Sequence, residues 1–286
     1  MPTLIPTTDL GTGPRVIPNG FEVIATREVR LSRLLISYIA VGLFFMLLPG
    51  TFLGVWNLLA ISSHHSIESV SAAWIQAHGH AQIFGWIGTF ILGIGYYSIP
   101  KLRRMKPFAL WAPWTSLLMW GSGVTLRWIA GVYEWHWRVL LPLSAGLEIA
   151  AFLIFFLMVS GHRSPSETQA GKLDAWILAI MAGCVGWLLA LIMNFASATF
   201  IAFRAAAPVL PHGFDQRFLV LETWGFLVPF IWGFSAKWLP IFLGLRALRP
   251  LHLLWAIGLN SAGVIAALFG FNLLSSFLLL AAIVTA

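Results

Sequence analysis

Apolar residues in this chain come in long blocks, not in alternation. Seven blocks, at roughly 34–62, 74–100, 108–132, 137–160, 173–202, 218–245 and 251–270, are long enough to span, and an eighth begins at 273 and runs to 286. Each approaches or exceeds the ~20 residues that carry a helix across a ~30 Å hydrocarbon core. None shows the apolar/polar alternation of an outer-membrane strand, so helices are expected. The pattern predicts an all-α integral membrane protein: a polytopic bundle of about eight transmembrane helices in a lipid bilayer. The first 25 or so residues mix Pro, Thr and Gly without an apolar core. They read as an N-terminal tail and not as a signal peptide, with helix starting near Glu28 to Arg33.

Composition sharpens this. Of the 286 residues, 59% are hydrophobic and only 9% are charged, against about 25% charged in a soluble domain. That excludes a soluble enzyme, a nucleic-acid binder and a secreted disulfide scaffold. The single cysteine, Cys184, sits inside an apolar block and reads as a small core residue. The net charge of +7 is distributed as topology. Arg27, Arg30 and Arg33 precede the first span; Lys101, Arg103, Arg104 and Lys106 separate spans 2 and 3; Arg163 and Lys172 separate 4 and 5; Arg246 and Arg249 separate 6 and 7. The alternate loops are poor in cations, apart from Arg204 and Arg217 between spans 5 and 6. Positive-inside logic therefore predicts a cytoplasmic N-terminus.

A repeat also runs through the chain. Phe90-Ile91-Leu92-Gly93 with Pro100 recurs 140 residues later as Phe230-Ile231-Trp232-Gly233 with Pro240, and the same offset pairs Gly85 with Gly225 and Gly123 with Gly263. The expected organisation is a tail (1–33), a first four-helix unit (34–172) and a second (173–286) that stops inside an apolar run. A helix ending in lipid leaves carbonyls unsatisfied, so the second unit reads as truncated.

The chemistry concentrates in His78-Gly79-His80-Ala81-Gln82-Ile83-Phe84-Gly85-Trp86, at the outer end of span 2. Imidazoles inside an apolar helix are functional candidates, and neutral histidine is the common axial ligand of haem iron. The i,i+2 spacing turns the two rings about 200° apart, so they cannot both face one ligand. One would bind a metal or haem, and the other a second centre or a neighbouring helix. Gly85, Gly88 and Gly93 admit either a flat macrocycle or a close helix. Arg127 in span 3 is a candidate partner for Glu148 in span 4 or for a cofactor carboxylate, with snorkelling as the bland reading. Glu148 is too deep to snorkel and is a candidate proton or metal group. Glu222 opens span 6 and is placed to face His78 or His80. Lys237 reads as snorkelling inward. His64, His65, His136 and His212 read as solvated loop residues. No phosphate loop, nucleophile triad or CxxC site is present.

The segment His78-x-His80-x-x-x-Phe84-Gly85, followed by Gly93 and Pro100, resembles the second helix of the NnrS family, polytopic membrane proteins associated with the response to nitric oxide and described as containing haem and copper. More distantly it is similar to subunit I of haem-copper oxidases and nitric oxide reductases, where a second-helix histidine ligates the low-spin haem on the outer side. The resemblance implies haem b, with copper as a second candidate, and His78 or His80 as ligand, with Arg127 as a further cofactor contact and Glu148 and Glu222 as proton groups or groups supporting the ligand. It also implies two of the three four-helix arcs of a twelve-helix architecture, a bacterial inner-membrane location, and respiratory subunits as further partners. The role implied is nitric oxide response or respiratory electron transfer. Span 6 has no histidine and His252 lies at the inner end of span 7, so an oxidase-type copper centre is not expected from this chain. The enzyme alternative is a divergent oxidase or reductase subunit completed by a third arc. The non-enzyme alternative is a transporter or sensor bundle, with a helix broken at Pro49-Gly50 and Glu148 as its proton site.

Overall fold

The computed structural model describes residues 20–102, 108–161, 174–246 and 249–286. The loop cations Arg103, Arg104, Lys106, Arg163 and Lys172, and the first 19 residues, lie outside these. The described residues are helical, with no strand among them. Six helices are long and apolar enough to cross a membrane: α1 (Thr26–His64), α2 (Ala72–Leu102), α4 (Trp137–Ser160), α5 (Ala175–Arg204), α6 (His212–Leu243) and α7 (Pro250–Leu268). Two more complete the fold. Helix α3 (Trp111–Tyr133) is long but less apolar, carrying Ser116, Ser122 and Arg127; α8 (Asn272–Thr285) is apolar but shorter. The chain is thus a multi-pass helical membrane protein, with fewer clear crossings than the eight apolar blocks suggest. Helix formation already begins at Gly20. Glu28 accepts hydrogen bonds from Tyr97 and Lys101, tying the start of α1 to the end of α2.

Three segments widen into π-helix: Met46–Phe52 in α1, Ala81–Gly88 in α2 and Leu221–Leu227 in α6. Pro49-Gly50 therefore widens α1 and does not break it, which accommodates proline's missing N–H. In each π segment one carbonyl takes a side-chain donor, and those of Gly50 and Phe84 also accept a backbone N–H, from Leu53 and Thr89. Gly50 accepts from His78 Nδ1 at 2.9 Å, Phe84 from Trp120 Nε1 at 3.1 Å and Trp224 from Asn260 Nδ2 at 2.8 Å. The last two bonds join equivalent places, since Phe84 and Trp224, like Trp120 and Asn260, are 140 residues apart. Helices α2 and α6 likewise begin 140 residues apart, at Ala72 and His212.

The core is aromatic. Trp187 stacks on Phe226 at 4.3 Å and meets Trp120 edge-on at 5.3 Å, with Phe84, Phe152 and Phe155 around them, all fully buried. The glycines of α2 serve this packing: Gly85 lies against Phe45 and Val124, Gly88 against Trp120 and Gly93 against Tyr38. Of the two readings open for them, the helix-packing one holds. Cys184 is buried.

Candidate functional site

The two histidines of α2 face different neighbours, as their spacing requires. His78 turns toward α1, where its Nδ1–H donates to the Gly50 carbonyl. Its ring lies flat on Gly54, whose missing Cβ leaves the room; a Cβ there would sit 2.6 Å from the imidazole Cε1. Nε2 has no hydrogen-bond partner among the described residues, and the space beside Gly79 is open. A histidine whose Nδ1–H is fixed by a backbone carbonyl has its tautomer set and presents Nε2 as a ligand.

His80 turns the other way, into the bundle. It is 5% exposed, and Nε2–H donates to Glu148 Oε1 of α4 at 2.8 Å. The other carboxylate oxygen accepts from Asn194 Nδ2 of α5 at 3.1 Å. Phe84 stacks on the imidazole at 4.6 Å, closing it from below. Gly123 of α3 admits the carboxylate, since a Cβ there would sit 2.8 Å from Glu148 Cγ. Asn194 was not singled out from sequence; a lone amide within an otherwise apolar span was the available signal.

Arg127 is buried and does not snorkel. It makes no ion pair with Glu148, whose oxygens are taken by His80 and Asn194. It lies within electrostatic reach of Glu148, Glu222 and Asp215. Glu222 is likewise buried, and among the described residues it bonds neither histidine. His80 Nδ1, Arg127 Nη1, Glu222 Oε1, Asn194 Oδ1 and Ser144 Oγ are all buried without hydrogen-bond partners among the described residues. Buried polar atoms are seldom left so, which sets this constellation apart from the apolar packing around it. At one edge Gln76 clamps the loop before α6 through both backbone groups of Leu210, residues sequence reasoning passed over.

The remaining histidines among the described residues stay apart. His64, His65, His136, His212 and His252 are exposed, and no group of three His, Cys, Asp or Glu able to hold a metal ion occurs among the described residues. A haem needs only one protein nitrogen on each axial side, and His78 offers one. Lys237 stacks over Trp176, 5.4 Å from its centroid, at the far end of α6. In comparisons with known proteins, no family model matches the chain, and neither a curated protein nor a solved structure matches it.

Proposed function

We propose that the chain is a haem-binding inner-membrane protein of NnrS type, with His78 as axial ligand, serving the response to nitric oxide or respiratory electron transfer. The observation that carries this is the 2.9 Å bond from His78 Nδ1–H to the Gly50 carbonyl, which leaves Nε2 unbonded. Of the three donors to π-segment carbonyls, only His78 keeps a second ring nitrogen free to ligate. Haem b bound there would supply a one-electron carrier or a site for a diatomic gas. The residues of the chain orient the imidazole through Gly50 and Gly54 and fix its tautomer. Two four-helix units 140 residues apart and a cytoplasmic N-terminus complete this reading.

The test is an optical difference spectrum, dithionite-reduced minus oxidised, of the full chain purified from haem-replete cells. A b-type spectrum lost in His78→Ala and kept in His80→Ala supports the assignment. A colourless folded protein, or a spectrum indifferent to His78→Ala, overturns it.

A second reading has its own observation. The buried cluster of His80, Glu148, Asn194, Arg127 and Glu222 draws on five helices and holds four polar atoms without hydrogen-bond partners among the described residues. Intramembrane ionisable groups of this kind mark proton sites in transporters and pumps. A proton-coupled transporter or sensor follows if Glu148→Gln abolishes ion-coupled flux in proteoliposomes and no haem is present.

A further inference from the structure

Helices α6, α7 and α8 border an open cleft of about 650 Å³, within the range of ligand sites. Val220 stands where the first half has His80, and Ala267 where it has Arg127, and both line the cleft. Small apolar side chains thus stand here in place of an imidazole and a guanidinium.

The cleft has two unlike ends. Gln216, Arg217, Asn272 and Ser276 line one end, at the first turns of α6 and α8. Arg217 Nη2 lies 3.4 Å from the place of a Cβ on Gly270, which puts this end at the α7–α8 turn. Deeper, the walls are Val220, Trp224, Leu279, Leu280 and Ile283. From Arg217 to Trp224 is about 10 Å along the helix, and from Asn272 to Ile283 about 16 Å. Leu280 and Ile283 are 59% and 51% exposed, so the apolar part opens sideways to the surroundings of the bundle.

The charge at the mouth is uncompensated. Arg217 is exposed and belongs to neither ion pair found among the described residues. Neither acidic residue of its own helix, Asp215 or Glu222, forms an ion pair with it among the described residues. The N-terminus of α8, 14 residues long, lies at the same end and favours an anion further.

We propose that this cleft binds one anionic phospholipid. The phosphate sits at Arg217 and the N-terminus of α8, and an acyl chain lies along Val220, Leu279, Leu280 and Ile283. The phosphodiester matches the guanidinium fork, and the chain covers apolar wall that otherwise meets only bulk lipid.

The experiment is native mass spectrometry of the full chain in detergent, titrated separately with dioleoylphosphatidylglycerol and dioleoylphosphatidylcholine. One phosphatidylglycerol is expected to be retained in preference to phosphatidylcholine. Arg217→Gln lowers its retention about tenfold, the factor for one charge-assisted hydrogen bond, and Arg217→Lys keeps most of it. Ser276→Trp fills the polar end without removing charge and displaces the lipid. Equal retention of the two lipids overturns the proposal. So does retention that survives both Arg217→Gln and Ser276→Trp, or a dimer in wild type that Ser276→Trp abolishes, which would assign the cleft to a second copy.

Discussion

His80 Nε2 and Glu148 Oε1 lie 2.8 Å apart with both side chains withdrawn from the surface, joining α2 to α4 in the middle of the bundle. In an apolar surrounding such a bond is strong because its alternative, an unpaired imidazole and carboxylate, is so costly. It divides the two histidines of one motif between two tasks. His80 is committed to holding the bundle's polar centre, and His78 is left to face outward across α1.

Removing one partner of the pair strands the other. Glu148→Leu is expected to lower stability by about 3–5 kcal/mol, read from an SDS unfolding titration followed by tryptophan fluorescence. The double variant His80→Leu/Glu148→Leu is expected to lose less than the sum of the two single changes. Strict additivity would mean the two side chains do not support each other.

The side-chain donors to the π-segment carbonyls are expected to show their worth. Asn260→Leu and Trp120→Phe each leave one such carbonyl without its side-chain donor, at about 1 kcal/mol apiece. The same titration checks this, and a loss confined to one of the two would break the parallel between the halves.

Gly186 of α5 packs directly on the Gly225 carbonyl of α6, with no room for a Cβ. Gly186→Ala is expected to cost about 1–3 kcal/mol by forcing two backbones apart. Gly258→Ala, which meets open space, serves as the control and is expected to melt like wild type.

The orientation of the His78 ring depends on Gly54. Gly54→Leu is expected to reduce the haem-to-protein ratio of the purified chain several-fold without removing a ligand. Full haem occupancy in this variant would mean the ring's seat on α1 does not matter to binding.

The cation-rich loops predict a cytoplasmic N-terminus. Ser63→Cys is expected to react with an impermeant maleimide from outside intact cells, and Arg246→Cys only after permeabilisation. Native Cys184 is buried and contributes little background. The reverse labelling pattern would invert the orientation.

Much of the site was legible beforehand. The unusual placement of His78, His80, Arg127, Glu148 and Glu222 in apolar spans marked them, because hydrocarbon tolerates such groups only for a reason. Their pairing was not legible. Nothing in spacing says that Glu148 takes His80 and Asn194 and leaves Arg127 without a direct ion pair, since these residues come from different helices and their meeting depends on how the helices rotate about their own axes. The burial of Glu222 could be read in the same way, but not its bonding: among the described residues it bonds neither histidine. Gly50 shows the limit best. A glycine after a proline looks like a hinge, yet here its backbone oxygen holds His78.

What the sequence determined by itself is the helical, membrane-crossing class, the approximate limits of the helices, and the 140-residue correspondence. Each follows from local composition and hydrophobic run length, which act along the chain. What only the tertiary structure decided is which side of α2 each histidine serves, which donors satisfy the π-segment carbonyls, and that α6, α7 and α8 leave a cleft where α2, α3 and α4 enclose a polar cluster. Those outcomes depend on the rotation and close approach of helices far apart in sequence, set by glycines, aromatic packing and the need to pair every buried polar group.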